Sequence, residues 1–338
     1  MLGFDGHALS GATCQRRQFI SLFGGIAAGL TWPLSSSAQK PNIRRIGVLV
    51  VGNADADAVT FQTELREELR KSGYVEGQNL IFELRSAEQK IDLLPKLAAE
   101  LVAQQVDVIV ALYTPCALAA KQATREIPIV AVSGDPVGTG LVPSLARPGA
   151  NLTGVSLIAA EMHGKCAELF RDMLPSIRRV AALGNAADPF SKPFLEQVQL
   201  AGKTTNIEIA PITMVRGPQE IEAAFAHIKQ EAAGALVVQG SLASKNVADL
   251  AVRHSLPAAS VPRSFAEAGG LLSYGADSST SFRQSAKFVT KILQGGLPAN
   301  IPIEQPTKFE LVINLSTAKA LGLKVAETFL QRADVIIE

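Results

Sequence analysis

Residues 106–132 read VDVIVALYTPCALAAKQATREIPIVAV. Two short apolar runs, 106–112 and 127–132, flank a segment rich in helix-forming residues that begins at Pro115. Strand, helix and strand in this order make a βαβ unit, which places its two strands side by side and parallel. Upstream, IGVLVV predicts a further strand, and VTFQTELREELRK carries Phe61, Leu65 and Leu69 at helical spacing, with Glu67 and Lys71 paired outside. Gly73 ends that helix, NLIFEL predicts a strand, and IDLLPKLAAELVAQQ a helix whose Pro95 falls in its first turn. The order βαβα implies a parallel sheet with helices on both faces.

The same order then begins again. RRVAALG at 178–184 matches RRIGVLV at 44–50, GALVVQG at 234–240 matches VDVIVAL at 106–112, and LPAASV at 256–261 matches IPIVAV at 127–132. Two helical segments, SKPFLEQVQLAGKT and PQEIEAAFAHIKQE, lie between them. The chain therefore predicts two α/β lobes of similar topology, and 338 residues suffice for two domains of ordinary size.

Between the lobes lies SGDPVGTGLVPSLARPGANLTGVS, residues 133–156, with five glycines. A phosphate cradle fails here: the segment lacks GK[ST], no helix opens directly after it, and Pro143 stands where a dinucleotide fingerprint needs its third glycine. Plain turn chemistry and a hinge-side loop approaching something between the lobes both remain open.

The composition narrows function. A formal net charge of +1, with Lys and Arg interspersed among carboxylates, gives no footprint for nucleic acid. The four histidines are scattered without partners at ligand spacing, so no metal or cofactor is expected. Catalysis would rest on Cys116 at a helix start, where the dipole favours thiolate, yet no histidine falls in a matching loop. The chain reads as a non-enzyme. Cys116 and Cys166 could pair or stay reduced; their spacing does not decide it.

Residues 1–38 read as an export signal. Arg16 and Arg17 precede the apolar run Phe19–Leu30, and Ser36-x-Ala38 is spaced for a peptidase. The run is shorter than the roughly 20 residues of a membrane span. RRQFI also resembles a twin-arginine signal, which leaves the export route open. A periplasmic, non-embedded monomer is expected.

Four segments carry a resemblance: GYVEGQNL, the Thr114–Pro115 step, GDPVGTGLVPSLARPGANLTGVS, and FELVINLSTAKALGL. Together they resemble the periplasmic substrate-binding proteins of ABC importers, in the tryptophan/tyrosine-type group. The resemblance runs from about Ile43 to the C-terminus. It implies a type I periplasmic binding fold with three crossovers, lobe 1 taking 43–156 plus 275–303 and lobe 2 taking 157–274 plus 304–338. It also implies capture of a small, amino-acid-like ligand between the lobes and delivery to a permease and ATPase complex. A ligand sensor presenting its ligand to a membrane signalling protein would use the same fold.

In open α/β sheets ligands lie beyond the carboxyl ends of the strands. Those ends nominate Asn53, Tyr113, Thr114, Pro115, Cys116, Asp135, Pro136, Ser156, Asn185, Gly240, Ser241 and Arg263, with Tyr274 and Asp277 added from a crossover. Asp277, with Asp135 as a second candidate, is expected to hold a cationic nitrogen. Three departures stand out: Gly240-Ser241 stands where relatives often show an Asp-Asn pair, GADS at 275–278 where many show GIDY, and the loop VGNADAD after the first strand lacks an aromatic residue.

The leader yields a direct test. N-terminal sequencing of secreted material should give a chain starting near Gln39, whereas membrane-bound protein retaining residues 1–38 would refute the signal.

Overall fold

The two apolar runs that frame Thr114 become neighbouring parallel strands, as their spacing predicts. The computed structural model describes residues 43–52 and 56–338. The expected leader and Asn53 lie outside the described residues.

In the first lobe, β1 (Arg44–Val50), α1 (Ala56–Lys71), β2 (Leu80–Ser86), α2 (Leu94–Ala103), β3 (Val108–Leu112), α3 (Thr114–Ala123), β4 (Ile129–Ser133) and β5 (Leu152–Ser156) alternate. Their sheet runs β2-β1-β3-β4-β5, with every pairing parallel. Residue parity decides which core each side chain joins. Ile46, Val48, Val108, Val110 and Val130 pack on one face, against Phe61 and Leu65 of α1. Leu49, Ile109, Ala111 and Ile129 pack on the other, against Leu101 of α2 and Ala117 of α3. A sheet covered on both faces needs apolar residues at every position, which explains the unbroken runs.

The second lobe continues with α4 (Ala159–Met173), β6 (Arg179–Asn185), α5 (Ser191–Thr205), β7 (Glu208–Val215), α6 (Ile221–Gln230), β8 (Ala235–Val238), α7 (Lys245–Arg253), β9 (Ala258–Ser260), α8 (Arg263–Glu267) and β10 (Leu272–Ala276). Next comes α9 (Ser278–Leu293), followed by β11 (Phe309–Asn314), α10 (Leu315–Ala320), α11 (Glu327–Leu330) and β12 (Val335–Ile337). The second sheet runs β12-β11-β10-β9-β8-β6-β7. It too has two cores: Val180, Ala182 and Val237 face α4 and α5, and Ala181, Leu183 and Val238 face α6 and α7.

Two features differ from the sequence reading. β11 pairs antiparallel with β10, so the second sheet is mixed. β7 has no counterpart in that reading: as an edge strand it is mostly half-buried, so EIAPITMV lacks the apolar run of a central strand.

α9 leaves the second sheet and packs on the first lobe. Its Phe282 meets Phe61 of α1 edge-on at 5.3 Å between centroids, and Arg283 pairs with Glu64 at 2.7 Å. The chain thus passes between the lobes after β5, after β10 and before β11. The first and last of these passages are hydrogen-bonded together: Ser156 N donates to Glu304 O at 2.9 Å, and Glu304 N donates to Gly154 O at 3.1 Å.

Gly154 has φ +143°, and a Cβ there would lie 1.9 Å from the Ala131 carbonyl oxygen of the neighbouring strand. Gly154→Ala should therefore destabilise by about 3 kcal/mol or more, combining backbone strain with a backbone clash. Gly140, at φ +71° with nothing within 4 Å of an added Cβ, should lose only about 1 kcal/mol on the same change. Urea unfolding of the two variants checks the contrast; equal losses would refute it.

Candidate functional site

Strand carboxyl ends of both sheets converge on a cavity of about 70 Å³. A single water needs about 10–15 Å³ of such space, so the cavity accepts more than one. Asp57, Tyr113, Thr114, Gly134 and Phe282 wall it from the first lobe, and His163, Asp188, Phe190, Gly240, Ser241 and Pro262 from the second. Leu157, Ala276 and Ser278 close it at the crossovers.

The glycine-rich loop meets the second lobe here. A Cβ on Gly134 would stand 2.7 Å from the Phe190 ring, so only glycine lets that ring lie against the loop backbone. Gly134 O also accepts a hydrogen bond from Ala159 N at 2.9 Å. The loop approaches the opposite lobe itself.

On the first lobe's wall, the Tyr113 hydroxyl donates to Asp57 Oδ2 at 2.6 Å. Tyr113 has φ +71°, an unfavourable conformation for a bulky residue, and it stands directly before α3. Burial pushes the Asp57 carboxyl above its ordinary range and the nearby Glu267 carboxylate pushes the same way, while donation from Tyr113 and Ser264 pulls back. Ser264 belongs to α8, so the neighbours of Asp57 include a residue of the second lobe.

On the second lobe's wall, Asp188 Oδ1 accepts from Phe190 N at 2.9 Å, and Oδ2 accepts from Gln239 Nε2 at 2.9 Å. Gln239 Oε1 in turn accepts from Asn185 N at 2.8 Å. Burial raises the Asp188 pKa, against the donors around it. Ser241 Oγ, itself buried, is one of those neighbours but makes no hydrogen bond of ordinary geometry.

His163 is buried on α4. Its Nδ1 lies 2.5 Å from Ala159 O and must donate, while Nε2 accepts from Gly240 N at 3.1 Å. That fixes one neutral tautomer. Burial lowers its pKa to about 4, with the Ala159 and Val238 carbonyls pulling the other way.

Of the residues nominated from sequence, Tyr113, Thr114, Gly240 and Ser241 line the cavity. Apart from Asn53, which lies outside the described residues, the others have different places. Pro115 and Cys116 are buried in the first turn of α3, Cys116 within the core beneath. Ser156 serves the paired crossovers, and Asn185 Oδ1 accepts from Ala187 N. Arg263 is engaged by Glu267 at 2.8 Å and Glu310 at 3.2 Å, and Tyr274 stacks on Phe309. Asp135 closes its own turn by accepting from Val137 N and Gly138 N, and Pro136 O accepts from Val142 N. Asp277 caps α9, accepting from Thr280 N at 3.3 Å and Thr280 Oγ1 at 2.6 Å. The carboxylates on the cavity wall are instead Asp57 and Asp188, which sequence reasoning does not single out. Asp188 falls inside a strand-end loop, and its place there is the one signal the sequence offers.

Cys116 and Cys166 form no disulfide, and burial pushes the Cys166 thiol up to about 12. Among the described residues, no group of His, Cys, Asp and Glu is placed to hold a metal ion. No helix among them is long and apolar enough to cross a membrane.

With this architecture in place, comparison with known proteins is direct. The family model for ABC transporter substrate binding proteins matches residues 45–337, and the chain belongs to that family. It is 25% identical over 260 residues to the tyrosine-binding protein of Clostridioides difficile strain R20291, covering 76% of this chain and 74% of that one. A conserved domain protein of Vibrio cholerae O1 biovar El Tor superposes with a TM-score of 0.82 at 26% identity, over 87% of this chain and 99% of that one. An ABC domain from Streptococcus pneumoniae, solved with L-Trp, superposes at 0.80 with 24% identity, over 87% of this chain and all of that one. The expected two-lobe type I periplasmic binding fold is thereby shown.

His163 gives the site a pH signature. The native state keeps the imidazole neutral down to about pH 4, while the unfolded chain binds a proton below about 6.5. The stabilisation is complete above 6.5 and is lost as pH falls toward 4, by up to about 3 kcal/mol. Asp57 and Asp188, with raised pKa values, act in the opposite sense. Urea unfolding at pH 7 and pH 4.5 should therefore show a loss in the parent that shrinks in His163→Gln; an identical pH slope in both would refute the assignment.

Proposed function

We propose that this chain is an extracytoplasmic solute-binding protein, exported to the periplasm, that captures a small amino-acid-like ligand between its lobes and delivers it to an ABC permease and ATPase complex. The observation that carries this reading is the cavity walled by both lobes beside the paired crossovers. Its aromatic and apolar walls, Phe190, Phe282, Val261 and Leu157, suit an organic body, and its few polar groups suit orientation of one end. Relatives named for tyrosine and solved with L-Trp support the same ligand class.

Ligand shifts a two-lobed protein toward closure only through contacts to both lobes, and Asp57 and Asp188 offer one from each. Ser156, Asn185, Arg263, Asp277 and the 133–142 loop would then orient and frame the cavity rather than touch the ligand first.

Thermal melts against amino acids, aromatic amines, aromatic acids and sugars should reveal a binder; one present at 100 times its Kd stabilises by about 2.7 kcal/mol. Solution scattering with that binder should show a smaller radius of gyration. No stabilisation across the panel, or an unchanged radius at saturation, would refute capture by closure.

A further inference from the structure

We infer that the ligand is a primary or secondary amine on an aromatic or aliphatic body, recognised through its cationic nitrogen by Asp57 and Asp188 and without a requirement for an α-carboxylate. This rests on the solute-binding reading above and narrows its ligand class.

The argument is one of charge. Two carboxylates line the cavity, one from each lobe, and among the described residues no Lys or Arg lines it. Both carboxylates have neutral donors: the Tyr113 hydroxyl for Asp57, Phe190 N and Gln239 Nε2 for Asp188. Such donors satisfy lone pairs but leave the charge uncompensated, and an isolated buried charge is strongly unfavourable. The side chains that would supply a counter-charge are committed elsewhere. Arg263, beside the lining Pro262, is held by Glu267 and Glu310. His163 is neutral, with both ring nitrogens engaged. A cationic ligand brings the missing charge.

A ligand carboxylate finds the reverse. The Gly240 N–H is taken by His163 Nε2, and Pro115 removes a donor from the first turn of α3. Thr114, Ser241 and Ser278 bring only neutral hydroxyls, and that of Ser241 already neighbours Asp188. An α-carboxylate would enter a space bounded by two carboxylates where, among the described residues, no guanidinium or ammonium lines the wall to meet it. An amine lacking that group keeps the favourable contact and avoids the repulsion.

Matched pairs isolate the carboxylate. Calorimetry on the parent protein would compare tryptamine with L-tryptophan, tyramine with L-tyrosine, and phenethylamine with L-phenylalanine. At least one amine should bind tenfold or more tightly than its parent amino acid. Asp57→Asn and Asp188→Asn, verified as folded by their melts, should each weaken that amine at least tenfold. An amino acid binding as tightly as its amine overturns the inference and leaves solute capture standing. Amine affinity within threefold in both variants overturns it as well. Failure of every amine also overturns it, and the broader melt panel then decides separately whether the protein captures any solute. Should either variant not fold, the matched pairs on the parent remain decisive.

Discussion

Two backbone hydrogen bonds, between Ser156 and Glu304 and between Glu304 and Gly154, hold the first and last passages between the lobes side by side. The rest of the molecule is arranged around this join. It fixes the carboxyl end of β5 at the lobe boundary, which in turn aims the strand ends of both sheets into a common space. Gly154 makes it possible: any side chain there would collide with the Ala131 carbonyl, so β5 would move away from β4. Thr153 adds a side-chain bond from its hydroxyl to Ile301 O at 2.8 Å.

The second lobe's wall is a single hydrogen-bonded assembly rather than a set of separate side chains. Asn185 N, Gln239, Asp188 and Phe190 N form one chain of bonds, tying the loop after β6 to the segment after β8. His163 bonds Gly240, the next residue, and packs edge-on against Phe194 at 4.9 Å between centroids. A wall braced in this way is preorganised, so little ordering is needed when a ligand arrives. Gly240 and Ser241 carry no carboxylate, and Asp188 places one on the same wall from a neighbouring loop.

Much of this was legible in the chain. The unbroken apolar runs such as IGVLVV, the alternation of strand and helix, and the repeat of RRIGVLV as RRVAALG pointed to two sheets covered on both faces. Of the residues that the strand-end rule nominated, Tyr113, Thr114, Gly240 and Ser241 line the cavity. Individual acids were not legible. Asp277 and Asp135 stood out beside glycine and proline, but those same neighbours make caps and turns, and both carboxylates serve their own backbone. Asp57 lies in the first turn of a helix, where acids are common, and Asp188 in a loop. Only burial distinguishes them, and burial depends on residues more than fifty positions away. His163 was hidden for the same reason, since its partner Gly240 is 77 residues distant.

The route of the chain through α9 sets an order on synthesis. The helix covering the first sheet comes after β10, and the strand beside β10 comes after that helix. Neither lobe is therefore encoded by one continuous segment. A ribosome that has completed β5 has released a first sheet still lacking Phe282 and Phe288 over its face. The second sheet waits for residues 309–337, which follow that helix. Both hydrophobic faces stay partly open until α9 and β11 have been made, so neither lobe completes its core from the residues before Ser278 alone.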